Sequence, residues 1–155
     1  MNMNFTNDLL NPFNEHEVVM DLIANTQGEI YQVANDMGFD LEDFSDKYLN
    51  SDFCQKEMDC AYSVYQREFG DACMTMILAE FEEKNITILP KEKEPMYSVF
   101  WVGAMYRYLF YHLRKYSKDL SKEISFKKLS ELFFELENCD TAECIEYLKD
   151  ILYEK

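Results

Sequence analysis

The stretch YSVFWVGAMYRYLFYHLRKY, residues Tyr97–Tyr116, decides the fold of this chain. It contains the only tryptophan and five of the eleven tyrosines. At 3.6 residues per turn its apolar side chains cover most of the circumference, which is typical of a central helix with other helices packed on it. Gly103 and Ala104 allow a neighbouring helix to approach closely. Four basic side chains interrupt the apolar run and argue against a membrane span: Arg107, His112, Arg114 and Lys115.

The composition predicts a single, mainly α-helical domain. A chain of 155 residues is long enough for one sizeable core, and 15% aromatic residues are too many for a disordered chain. Four glycines and three prolines are too few for an all-β sandwich or barrel. We therefore expect an irregular arm over residues 1–13 and a compact, all-α, multi-helix domain over residues 14–155. Residues 59–66 and 85–89 have strand-like patterns suited to one short β-hairpin.

Capping and breaking residues predict where the helices begin and end. In the first half, Asn14 is the predicted N-cap of the first helix, Gly28 its break, Gly38 the next stop and Asp40 the following N-cap. Further along, an apolar stripe predicts a helix over Asp71–Glu83.

Three more helices are predicted after the central one. A charged segment from Ser117 is expected to be helical, and Ser125 is the expected N-cap of a helix over Phe126–Glu137. Asp140 and Glu143 have the spacing of a capping box and begin the last helix.

Charge is distributed unevenly along the chain. The net charge is −15, residues 1–60 alone carry −11, and residues 97–130 carry +5. Two interpretations have equal weight: the acidic part neutralises the basic part internally, or it forms an acidic face aimed at a basic partner. Direct nucleic-acid binding is disfavoured because phosphates need a broad cationic surface.

The cysteines indicate a reducing compartment. There are five, an odd number, with no Cys-x-x-Cys pair, and the N-terminus has no signal-peptide pattern. We therefore expect free thiols in a cytoplasmic protein. Cys139 and Cys144 with His112 form a weak candidate for a zinc site, and buried structural cysteines are the favoured interpretation. We expect no metal and no cofactor.

Four segments carry a family resemblance: SVYQ at Ser63–Gln66, FWVGAMYRY at Phe100–Tyr108, SKEI at Ser121–Ile124 and DTAECI at Asp140–Ile145. Over residues 41–152 the chain resembles small uncharacterised helical proteins of Firmicutes mobile and defence loci. Those proteins are encoded beside ADP-ribosyltransferase-like toxin genes. The resemblance implies an antitoxin or accessory role that acts by binding a partner, and it implies no catalytic mechanism.

Arg107 and His112 are the candidate catalytic pair. Their Arg-x4-His spacing is that of HEPN-class ribonucleases, in which a histidine moves a proton and an arginine holds a phosphate. Five positions correspond to about 140° of rotation on a regular helix, so the two side chains diverge. The competing interpretation is that His112 is a hydrogen-bonded core residue and that Arg107 pairs with an acid from the N-terminal half.

The leading hypothesis is a non-enzymatic cytoplasmic protein-binding module. It would act as an antitoxin-like or regulatory inhibitor that covers a basic surface of a partner enzyme, such as a cognate toxin or nuclease. One alternative is an acidic nucleic-acid mimic that blocks a nuclease or defence complex, and the other is the ribonuclease with Arg107 and His112. We expect no membrane partner. The predicted partner-binding residues are Asp36, Asp40, Glu42, Asp43, Asp46 and Asp52.

Overall fold

The structure, a computed structural model, describes residues 11–153 and has the predicted all-α fold. Eight α-helices follow one another within that range: α1 Glu17–Asp36, α2 Leu41–Leu49, α3 Gly70–Glu83, α4 Met96–Leu113, α5 Ser117–Glu123, α6 Phe126–Glu131, α7 Phe133–Leu136 and α8 Thr141–Tyr153. A π-helical turn at Cys54–Met58 and a 3-10 turn at Val64–Arg67 lie between α2 and α3.

Helices α1 and α4 form the central pair. They approach closely at Gly103, where an added Cβ would lie 2.8 Å from the backbone oxygen of Gln27 and from the ring of Tyr31. Gly28 on α1 is similarly covered by the ring of Phe100, 2.6 Å from where its Cβ would be. The remaining helices pack around this pair and cover a core rich in aromatic rings.

The predicted arm is only partly within the described range. Residues 1–10 lie outside it, so the structure describes the arm from Asn11 onward. The ring of Phe13 packs against Phe110 and Tyr116, at centroid distances of 4.7 and 5.0 Å. This contact attaches the end of the arm to the last turn of α4.

Several predicted caps are confirmed. The Asp40 carboxylate accepts hydrogen bonds from the backbone N–H groups of Glu42 and Asp43, and Gly38 has a φ of +80° just after α1. Ser125 caps α6 by accepting from the N–H of Lys128. Asp140 and Glu143 form a reciprocal capping box at the start of α8, with distances of 2.8 and 3.0 Å.

The first helix differs from its prediction in two places. It begins at Glu17, where the His16 ring accepts from the N–H of Val18, while Asn14 instead accepts from Arg114. It also continues through Gly28 without a break. A glycine is tolerated in the helix interior there because its missing side chain makes room for Phe100.

The predicted β-hairpin is wrong. Residues 11–153 contain no strand, and part of the first segment forms the 3-10 turn. The second segment runs beside the start of α2 and makes only an isolated bridge between Phe39 and Pro90. The Leu89 carbonyl accepts from the N–H of Asp40, and the Gly38 carbonyl accepts from the N–H of Lys91. Its backbone groups are therefore satisfied there rather than in a hairpin.

The second half also departs from the predicted boundaries. Helix α4 ends at Leu113, because Arg114 takes a left-handed conformation with a φ of 55°. The predicted helix Phe126–Glu137 is two short helices, α6 and α7, separated at Leu132. This break places Phe133 against Trp101, with ring centroids 5.5 Å apart.

No helix within residues 11–153 is both long enough and apolar enough to cross a membrane.

We predict that Gly103→Ala lowers the free energy of unfolding by about 1–3 kcal/mol, because the new methyl group meets a backbone carbonyl that cannot rotate away. Alanine is intrinsically the better helix former by about 1 kcal/mol. A net loss of stability therefore means that the overpacking costs more than this gain. Urea unfolding followed by circular dichroism is the measurement. Gly28→Ala is the matched control and should cost less, since its obstacle is a movable ring. A stabilised Gly103→Ala protein would contradict the close approach.

Candidate functional site

Four of the six predicted partner-binding residues line one groove. We call it the acidic groove: a hollow of about 400 Å³ lined by Asp40, Glu42, Asp43 and Asp46 from the start of α2. Hydroxyl and apolar side chains complete the lining, namely Ser45, Tyr106, Ser121, Ser125, Leu49, Leu89 and Phe126. No lysine, arginine or histidine is among the lining residues.

The segment before α4 helps to hold the acids of this groove in place. Asp43 accepts a hydrogen bond from the Leu89 N–H at 2.8 Å and forms an ion pair with Lys47 at 3.0 Å. Lys47 also donates to the carbonyl of Thr87. Burial by itself would raise the pKa of Asp43, but the Leu89 hydrogen bond and the Lys47 charge hold it below its ordinary value.

The other acids of the groove differ in how much charge they leave free. Asp40 uses its carboxylate as the cap of α2. Glu42 and Asp46 are exposed, and neither forms an ion pair with any residue in the described part of the chain. These two carboxylates therefore carry most of the charge available to a partner.

Asp36 and Asp52 do not line the groove. Asp36 at the end of α1 pairs with Lys93 at 3.4 Å, and Asp52 after α2 pairs with Lys84 at 2.8 Å. The Lys84 ammonium holds the pKa of the Asp52 carboxyl below its ordinary value. Both carboxylates are thus at least partly neutralised by a neighbouring lysine.

Arg107 is the centre of a buried polar network. Its guanidinium is fully buried and pairs with Asp59 at 2.8 Å, an acid from the N-terminal half, as the structural interpretation of Arg107 predicts. It also donates to the side chain of Gln27, the carbonyl of Met58 and the hydroxyl of Ser117. Its Nε, Nη1 and Nη2 atoms all donate to protein acceptors, so no nitrogen is left over for a phosphate.

The partners of Arg107 are themselves satisfied. Asp59 accepts from both the N–H and the hydroxyl of Ser117, and Gln27 donates to the carbonyl of Gly103 and accepts from Tyr48. Burial opposes the charge of Arg107, but the Asp59 carboxylate together with the nearby Cys54, Tyr111 and Tyr48 outweighs it, and the pKa of the guanidinium is raised. The sequence prediction names neither Asp59 nor Gln27. The excess of acids in the N-terminal half is a signal for an acid such as Asp59, and no sequence signal points to Gln27.

His112 lies in a different environment from Arg107. Its side chain is exposed, beside Lys115, Lys149 and Tyr153 in a separate surface hollow, and its ring is 6.5 Å from that of Tyr108. The expectation of a core histidine at this position is therefore wrong. With Arg107 buried and His112 at the surface, the geometry gives no common site where both side chains meet one phosphate.

The cysteines are free thiols within the described range, and burial dominates their chemistry. Cys54, Cys73 and Cys144 are buried, while Cys60 and Cys139 are partly exposed. Burial raises the pKa of Cys54 and of Cys73 to about 12. Among residues 11–153, no group of three or more histidine, cysteine, aspartate or glutamate side chains has an arrangement that could hold a metal ion.

Comparison with known proteins gives no family for this chain: no family model, no curated protein and no solved structure matches it.

We predict that Asp59→Asn lowers the free energy of unfolding by about 3–5 kcal/mol, since it leaves the Arg107 charge buried without its counter-charge. Urea denaturation of the variant and the wild type measures the loss. The matched control is Asp52→Asn, which breaks an exposed pair with Lys84 and should leave the urea midpoint almost unchanged. Equal effects of the two substitutions would show that burial of the Arg107 pair does not govern its contribution.

We predict that stability declines in alkali. The Cys54 thiol has a pKa of about 12 in the folded protein against an ordinary value of 9.0, so the folded state binds its proton more tightly than the unfolded state does. Its contribution to the free energy of unfolding is therefore complete below pH 9 and is lost as the pH rises toward 12. This group alone should reduce the free energy of unfolding by about 1.4 kcal/mol per pH unit in that window. Urea unfolding at a series of pH values measures the slope, which should be shallower in Cys54→Ala. A slope unchanged by Cys54→Ala would assign the effect to other groups.

Proposed function

We propose that the protein is a non-enzymatic binding module of the antitoxin or inhibitor type, whose acidic groove takes a lysine or arginine side chain from a basic surface of a partner protein. The observation that carries this proposal is the gathering of four carboxylates around one groove with no base in its lining. Glu42 and Asp46 keep their charge exposed, as a surface that attracts a cation requires.

The groove suits the whole length of such a side chain. Lysine and arginine have apolar stems and charged ends, and they bury the stem against apolar surface while the charge meets polar groups. Leu49, Leu89 and Phe126 supply the apolar surface. The carboxylates and the hydroxyls of Ser121 and Ser125 accept hydrogen bonds from the charged end.

The ribonuclease alternative receives less support from the same structure. It requires Arg107 to hold a phosphate, and the donors of Arg107 are occupied by Gln27, Met58, Asp59 and Ser117. Freeing them would break the buried ion pair, whose cost in other proteins is about 3–5 kcal/mol. The binding proposal needs no such rearrangement, because its acids are already at the surface.

We predict that the tagged protein captures a basic partner from lysate of its own cells, and that high salt releases this partner because exposed charges are screened. The double variant Glu42→Gln/Asp46→Asn should lose the partner, since it removes the two unpaired carboxylates of the groove. The measurement is capture at low and high salt followed by mass spectrometry. The three tagged baits are the wild type, this double variant and the control Glu82→Gln/Glu83→Gln. If the captured partner is an enzyme and added nucleic acid displaces it from the bait, the nucleic-acid-mimic alternative is favoured.

The matched control is Glu82→Gln/Glu83→Gln. It also removes two negative charges, from an exposed part of α3 outside the groove lining, so the two variant baits have the same net charge. Equal loss with both variants would mean that overall charge, rather than the groove, holds the partner. If the wild type captured no protein, the binding proposal would fail, and RNA cleavage by wild type and His112→Ala would be the next comparison.

A further inference from the structure

A second hollow, on the opposite edge of α4, has a different chemistry from the acidic groove. We call it the aromatic cleft. It has a volume of about 500 Å³, lies between α1, α4 and the start of α8, and is lined by five aromatic side chains: Tyr97, Phe100, Trp101, Tyr108 and Phe133. Two of the remaining lining residues, Asp21 and Glu137, are exposed acids, and none is basic.

We propose that the aromatic cleft binds an alkylated ammonium compound, such as a molecule with a trimethylammonium group. The faces of aromatic rings attract cations, and rings arranged around a hollow recognise quaternary ammonium groups. These groups carry a positive charge but expose an apolar, weakly hydrated surface. The hollow is large enough for such a group together with a substituent, since small-molecule sites measure about 300–1,000 Å³.

The aromatic rings that line the cleft pack against one another at inclined angles. Phe133 lies 5.3 Å from Tyr97 and 5.5 Å from Trp101, and the Trp101 and Phe133 planes are inclined by 74°. Tyr97 is more than half exposed, so its ring is accessible from outside. The break between α6 and α7 fixes this arrangement, because it determines where Phe133 packs.

The charges at the rim select a cation over a neutral ligand. Asp21 accepts a hydrogen bond of 2.6 Å from the Tyr108 hydroxyl, which positions the carboxylate at the edge of the ring wall. That bond leaves further acceptor capacity on Asp21. Glu137, the residue that follows α7, supplies a second negative charge in the lining of the cleft.

An anion is disfavoured, although the start of α8 also borders the cleft through Thr141. The N-terminus of a helix attracts anions through its free N–H groups. Here the Asp140 carboxylate accepts from the N–H of Glu143, and the Glu143 carboxylate accepts from the N–H of Asp140. The capping box therefore adds two negative charges to the helix end that an anion would otherwise use.

Trp101 makes the proposal directly measurable, because it is the only tryptophan in the chain and it lines the cleft. We predict that choline or tetramethylammonium changes its fluorescence in a saturable way. The neutral carbon analogue of choline, 3,3-dimethyl-1-butanol, should bind about tenfold more weakly, because it has the same shape without the charge. A trimethyl-lysine peptide tests the other source of the same chemical group, and tighter binding than choline would assign the ligand to a modified side chain.

Two variants and a control test the parts of the cleft. Tyr97→Leu removes an exposed ring, and Asp21→Asn/Glu137→Gln removes both rim charges; each should weaken choline binding about tenfold. Glu82→Gln/Glu83→Gln changes the net charge equally on α3 and should leave the affinity unchanged. Equal affinity for choline and its neutral analogue would overturn the proposal, as would the absence of any saturable fluorescence change with choline, tetramethylammonium and the peptide. The acidic groove plays no part in this result.

Discussion

The fold depends on one buried charge and on the groups that compensate it. A guanidinium with no exposure to water is costly unless every donor is satisfied. Arg107 meets this condition through Gln27 on α1, Met58 and Asp59 at the end of the π-helical turn, and Ser117 at the start of α5. One side chain of the central helix thus joins three distant segments. Such a network favours a single arrangement of these segments, because any other arrangement leaves polar groups unsatisfied in a low-dielectric interior.

The two candidate binding surfaces lie on different edges of the structure around this network. The acidic groove is lined mainly by α2, α5 and α6, with Tyr106 of α4. The aromatic cleft is lined by α1, other residues of α4, the residues around α7 and the start of α8. They also differ in the chemistry of their linings. The acidic groove has carboxylates and hydroxyls beside a few apolar side chains, whereas the aromatic cleft has five aromatic rings and two exposed acids. Both are negative, so the whole molecule attracts cationic ligands at long range, and the shape of each hollow then determines which cation fits.

The sequence predicts much of this fold and less of the sites. Periodicity and capping chemistry are local, and they identify the central helix, the caps at Asp40, Ser125 and Asp140, and the all-α class. The helix break predicted at Gly28 is wrong because the role of this glycine depends on Phe100, a residue 72 positions away. The strand predicted at residues 85–89 is wrong for a similar reason, since the backbone partners at the end of this segment are Gly38 and Asp40, just before α2. Four groove acids were identified because they cluster in sequence, but the residues opposite them come from α5 and α6, and no local pattern reveals that neighbourhood.

The close approach of α1 and α4 also has a consequence for synthesis of the chain. The Gln27 side chain donates to the carbonyl of Gly103, and these residues are 76 positions apart. As the chain leaves the ribosome, the apolar face of α1 lacks its main packing partner until α4 has emerged. Closing a loop of that length has an entropic cost that only the completed pair repays. The core around α1 is therefore completed only late in translation. The many acidic side chains of residues 1–60 oppose association between neighbouring unfinished chains.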